Sequence, residues 1–139
     1  MPRSLFSGSW KTSSTADIGL KILERLAEDA AVVPFLWFYE IGNALTVACR
    51  RRITYEQAAE YLARIPGLPV SVDDPDPASV LALPNVARTY DLTNYDAAYL
   101  ELAIRRKLPL STTDRALRRA AGRAGIALVD AKAENTQLE

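Results

Sequence analysis

Three carboxylates, Glu40, Asp96 and Asp114, sit where they could do chemistry together. Their strings are Tyr39-Glu40-Ile41-Gly42-Asn43, Tyr95-Asp96-Ala97-Ala98-Tyr99-Leu100 and Ser111-Thr112-Thr113-Asp114. In each, the acid lies at or near a predicted helix start, beside apolar neighbours that would partly bury it. A carboxylate taken out of water is costly unless a cation or hydrogen bonds compensate it. Taken singly, each acid reads better as structural: Glu40 complements a helix dipole, Asp96 fills a first turn and Asp114 is an N-cap. Taken together, all three fall at helix N-termini after strands or loops, and an all-oxygen cluster of that kind suits a hard divalent cation. Asn43, a poor mid-helix residue three positions after Glu40, adds a polar group on the same side.

Composition narrows the chemistry further. The chain of 139 residues contains no histidine, which excludes Ser-His-Asp and Cys-His nucleophile systems, imidazole acid/base pairs and His-containing zinc sites. Cys49 is the single cysteine, so neither an internal disulfide nor a thiol-rich metal site is expected, and a reducing, cytoplasmic location follows. Seventeen basic residues balance seventeen acidic ones, so no global field drives the chain onto nucleic acid or a membrane. Locally the balance fails. Between residues 101 and 123 stand Arg105, Arg106, Lys107, Arg115, Arg118, Arg119 and Arg123, against Glu101 and Asp114. No apolar run approaches the ~20 residues of a membrane span, no secretory leader is evident, and no glycine-rich phosphate loop occurs.

The elements that must position these residues alternate. A helix is predicted from Thr15 on the spacing of Ile18, Ile22, Leu23 and Leu26, then a buried strand at Ala31-Val32-Val33 stopped by Pro34. Phe35 to Arg50 reads as a helix with Leu36, Tyr39, Asn43 and Val47 near one stripe, widened by Phe38, Ile41 and Leu45. Thr54-Tyr55-Glu56-Gln57 is a capping box opening a helix to Ile65. A strand follows at Leu68–Val72, then Asp73-Asp74-Pro75-Asp76-Pro77, which reads as a solvated acidic turn with an N-cap. Helices are predicted over Ala78–Thr89, Asn94–Arg106 (capped by Thr93) and Arg115–Ala124 (closed by Gly125), with strands at Pro109–Thr112 and Ile126–Val129. Short strands alternating with helices predict an α/β fold with a mainly parallel sheet, whose sites form beyond the carboxyl ends of the strands.

From about Leu26 to Val129 the chain resembles a PIN-domain protein of the VapC toxin type. The resemblance rests on Val33-Pro34 with Tyr39-Glu40-x-x-Asn43, on Thr93-x-Tyr95-Asp96-Ala97-Ala98-Tyr99-Leu100-Glu101-Leu102-Ala103, on Leu108-Pro109-Leu110-Ser111-Thr112-x-Asp114-x-x-Leu117, and on Ala121-x-x-x-Gly125-Ile126. It implies a three-layer α/β/α fold, with residues 1–139 as one domain, an atypical stretch at 1–14 and a tail at 130–139. It also implies a metal-dependent endoribonuclease that uses Mg²⁺ or Mn²⁺, partnered by a small antitoxin and forming a homodimer. The family's acids carry over onto Glu40, Asp96 and Asp114 as catalytic and metal-binding residues, with Asn43 and Thr112 as supporting polar groups. Arg115, Arg118 and Arg119 would then contact the RNA backbone, although a solvated face accounts equally for Arg118 and Arg119.

One part of the pattern is missing. PIN proteins open with a short apolar strand ending in an aspartate, and here no aspartate precedes Asp17. Aligning Ser4-Leu5 or Ser9-Trp10 after that position leaves Pro2 or Arg3 in place of the acid. The first strand is therefore expected to be degraded or missing, through truncation, alteration or natural loss, and nuclease activity to be reduced. The aromatic residues Trp37, Phe38, Tyr55 and Tyr61 could offer a surface for protein contacts, with core packing the expected use of most of them.

Overall fold

The computed structural model describes residues 4–6 and 30–129. The helix expected from Thr15 and the tail after Val129 lie outside those residues. A parallel sheet runs in the order β3-β2-β1-β4, from β1 (Ser4–Phe6), β2 (Ala31–Pro34), β3 (Val70–Asp73) and β4 (Leu110–Ser111). The described helices are α1 (Leu36–Cys49), α2 (Tyr55–Arg64), α3 (Pro77–Leu81), α4 (Leu83–Tyr90), α5 (Asn94–Arg106) and α6 (Arg115–Ala124). The expected α/β architecture with a parallel sheet is present.

The opening strand is short but not missing. β1 pairs with β2 through Ser4↔Ala31 and Leu5↔Val32, and with β4 through Leu5↔Leu110 and Phe6↔Ser111. Three residues thus occupy the middle of the sheet. The strand expected at Ile126–Val129 contracts to one parallel bridge, Leu110↔Leu128, held by Leu110 N–H to Ala127 O and Val129 N–H to Leu110 O, both 2.9 Å.

β2 is buried at every position, as a continuous apolar run in a covered parallel strand should be. Helix α1 buries Trp37, Leu45 and Ala48, with Ile41 partly covered on the same face. The stripe expected at Tyr39, Asn43 and Val47 points the other way, and all three are exposed. Leu36 and Phe38 are shared between the faces, so apolar spacing alone left the phase of this helix ambiguous.

Helix α2 has the predicted capping box: Gln57 N–H donates to Thr54 Oγ1 at 3.1 Å and Thr54 N–H to Gln57 Oε1 at 2.9 Å. It buries only Ala58, leaving Tyr55 and Leu62 exposed. The predicted helix over 78–89 divides at Ala82 into α3 and α4, and Pro84 at the start of α4 suits a fresh helix opening.

Helix α5 packs across β2, β1 and β4 and supplies the centre of the core through Ala97, Tyr99, Leu100, Leu102 and Ala103. Leu117, Ala120 and Ala121 of α6 close it on one side. Gly125 caps α6 at φ +73°, a left-handed conformation in which glycine carries no steric penalty.

The acidic turn after β3 is only partly as expected. Asp76 is the N-cap of α3, accepting from Ser79 N–H at 2.7 Å, and Asp74 is exposed. Asp73 instead completes β3 and is buried, with Arg105 bridging it through two hydrogen bonds and Arg106 3.5 Å away. A turn signal at Asp-Asp-Pro could not show that an arginine pair from α5 would arrive to compensate this carboxylate.

Candidate active site

Parallel strands carry their outgoing helices at one end of the sheet, and the candidate acids sit there. β2 leads into α1, which places Glu40 in its second turn, half-buried. Thr93 caps α5 by accepting from Asp96 N–H at 3.1 Å, setting Asp96 in the first turn, also half-buried. Tyr99, one turn further along α5, is 1% exposed and donates its phenolic O–H to Glu40 Oε1. A buried tyrosine needs a partner for its hydroxyl, and this one finds it on another helix.

The electrostatics follow from that placement. Burial pushes the Glu40 carboxyl above its ordinary value, the Tyr99 hydrogen bond pulls it down, and the negative charge of Asp96 pushes it up again. Asp96 therefore acts on Glu40 as the smallest of these three influences, after burial and the phenol.

Asp114 follows β4, two strands from β2 in the sheet and at the same end. Its Oδ1 accepts from Leu117 N–H at 2.9 Å, capping α6, while its own N–H donates to Thr112 Oγ1 at 3.1 Å. Thr112 is buried, and its carbonyl accepts from Arg118 Nη1 at 3.0 Å. The structure thus links Glu40 to α5 through Tyr99, three residues from Asp96, and sets Asp114 with Thr112 two strands away. Among the described residues no three Asp, Glu or Cys side chains close into a metal-binding group. Asn43 is exposed one turn beyond Glu40.

The donor set suits a hard cation. Glu40 and Asp96 are both half-buried carboxylates, and a divalent ion would take their oxygens as ligands and relieve the repulsion between them. The positive rim is thinner than its sequence. Arg105 and Arg106 serve Asp73, Arg118 serves Thr112, and Arg123 donates to Thr89 O at 3.0 Å and lies over the Tyr90 ring. Arg115 and Arg119 are exposed.

Sequence reasoning placed Tyr99 only on the apolar side of Asp96 and missed its contact with Glu40. The available signal was a tyrosine where a core helix would accept leucine. The residues expected at the family's first acid, Pro2 or Arg3, lie outside the described residues.

A family model described as the PIN domain matches residues 6–123. Among solved structures, the crystal structure of PAE2754 from Pyrobaculum aerophilum is similar, at 24% identity and a TM-score of 0.68, covering 86% of this chain and 84% of that one. No protein of curated function matches significantly.

Proposed function

The chain belongs to the PIN-domain family, whose members are generally metal-dependent nucleases, and on that premise we propose that it is an endoribonuclease, the toxin of a toxin–antitoxin pair. The observation that carries this reading is Glu40, half-buried and hydrogen-bonded to Tyr99 one turn from Asp96, at the carboxyl end of a parallel sheet that also leads into Asp114. Glu40, Asp96 and Asp114 would hold Mg²⁺ or Mn²⁺. Such an ion, when bound, lowers the pKa of water for attack on a phosphodiester and stabilises the charge that develops.

The protein's own groups do the rest. Thr112 and Asp114 form a short turn whose shape Arg118 supports from behind, so Arg118 acts through Thr112 rather than as a dedicated phosphate contact. Arg115 and Arg119, exposed on α6, are placed to meet RNA phosphates. Among the described residues no helix is long and apolar enough to cross a membrane. The reading adds a cytoplasmic location, a small antitoxin partner and a homodimer.

The absence of an aspartate before Asp17, where the family carries its first acid, predicts weak ion binding and slow cleavage. It also supports a second reading, a PIN module acting chiefly through protein contacts. Exposed apolar side chains on α1 and α2 (Val47, Tyr55 and Leu62) favour that reading. RNA cleavage assays with added Mn²⁺ separate the two. Slow metal-dependent cleavage abolished in Asp96→Asn supports the nuclease, and no cleavage with no Mn²⁺ binding supports the module.

A further inference from the structure

Glu40 and Asp96 lie more than fifty positions apart in sequence, on two different helices, and something must hold their carboxylates in a fixed relation. Asp96 is fixed by its own helix start, through the Thr93 cap. Glu40 sits on α1, which has no side-chain N-cap, and it carries a long side chain with several rotatable bonds. The contact that constrains it is the Tyr99 phenol. Tyr99 lies three residues after Asp96, on the same side of α5. Its ring is enclosed in the core at 1% exposure, and its O–H reaches Glu40 Oε1.

We propose that Tyr99 is a positioning residue: its buried phenol holds the Glu40 carboxylate to the side of α5 that carries Asp96, so that a divalent ion meets a pre-set pair of ligands. This rests on reading Glu40 and Asp96 as ion ligands, and it assigns a task to a residue outside that set. A phenol carries one proton to donate, so it engages one carboxylate oxygen and leaves Oε2 for an ion. Tyr99 and Asp96 share one helix, so both acids are referenced to α5 as a single rigid body. Hydrogen bonds that orient a ligating carboxylate from behind typically support metal affinity by ~10–100-fold. A hydrogen bond that merely tied α1 to α5 would support folding and leave ion affinity unchanged once the chain is folded.

Mn²⁺ titration of the full chain by electron paramagnetic resonance distinguishes these roles, because it reads weak binding without relying on catalysis. Four variants accompany the unmodified chain: Tyr99→Phe, which keeps the ring and its packing, Glu40→Gln, their double mutant, and Asp96→Asn. Tyr99→Phe is expected to weaken Mn²⁺ binding about 10-fold in the native background and to change nothing further in the Glu40→Gln background. Unchanged affinity in Tyr99→Phe, or an equal loss in both backgrounds, overturns the positioning role. Failure of the underlying nuclease reading looks different: the unmodified chain then binds no Mn²⁺, or binds it with an affinity that Asp96→Asn leaves unaltered.

Discussion

Two carboxylates of this molecule are drawn out of water, and they meet opposite company. Asp73, at the end of β3, is buried and receives Arg105 in two hydrogen bonds, with Arg106 3.5 Å away. Glu40, in α1, receives one neutral phenol and faces another negative charge. At Asp73 the fold has satisfied an ion with its own cations. At Glu40 no cation among the described residues does the same, and perturbed carboxylates of that kind cluster at functional sites. The contrast sets an acid compensated by the fold's own cations against one given a neutral donor, which is how the proposed ion ligand would differ from a structural acid.

The sharpest way to break the contrast is to remove the like charge. Asp96→Asn should cut Mn²⁺-dependent RNA cleavage by more than ~100-fold, beyond the range of losing an outer supporting contact, while circular dichroism still reports a folded chain. If Asp73 is the structural partner in the comparison, its variants should do the reverse. Arg105→Ala should destabilise the fold by about 2 kcal/mol, read from the urea midpoint, because it leaves Asp73 with Arg106 as its remaining cation. The solvent-exposed side of Arg105 trims the figure below that of a deeply buried pair.

Glu40→Gln should stabilise modestly. The Glu40 carboxyl is held above its ordinary 4.5, first by burial, so the folded state binds more protons than the unfolded one between that value and the raised one. Stability contributed by the group is therefore full below pH 4.5 and declines as pH rises through the folded value. Thermal melts in chelator should show Glu40→Gln above the native chain near neutrality, with the gain fading in acid. Asp76 gives the smallest effect and the opposite sign. Its carboxyl is held low by the Ser79 backbone hydrogen bond, so its contribution is present above 3.8 and disappears as pH falls. Asp76→Ala should lower the melting temperature slightly at neutral pH and by less at pH 3.

Sequence made the layout readable wherever local chemistry sufficed. The Thr54 capping box, the Thr93 and Asp114 caps and the Gly125 stop each act within one turn of chain, and each is present. The three acids were visible because they belong to strings with a specific order and spacing. What could not be read depended on contacts between distant segments. Asp73 looks like a turn residue until α5 delivers its arginines. The phase of α1 required knowing which of its apolar residues meets the sheet. Tyr99 resembled core filling, because its polar tip finds its partner 59 positions away.

The brevity of β1 has a practical corollary. Two registered pairs on each side make a three-residue segment the seam between the portion of the sheet that carries Glu40 and the portion that carries Asp114. A proline substituted for Leu5, whose backbone is registered with both neighbouring strands, would therefore part the sheet at its middle.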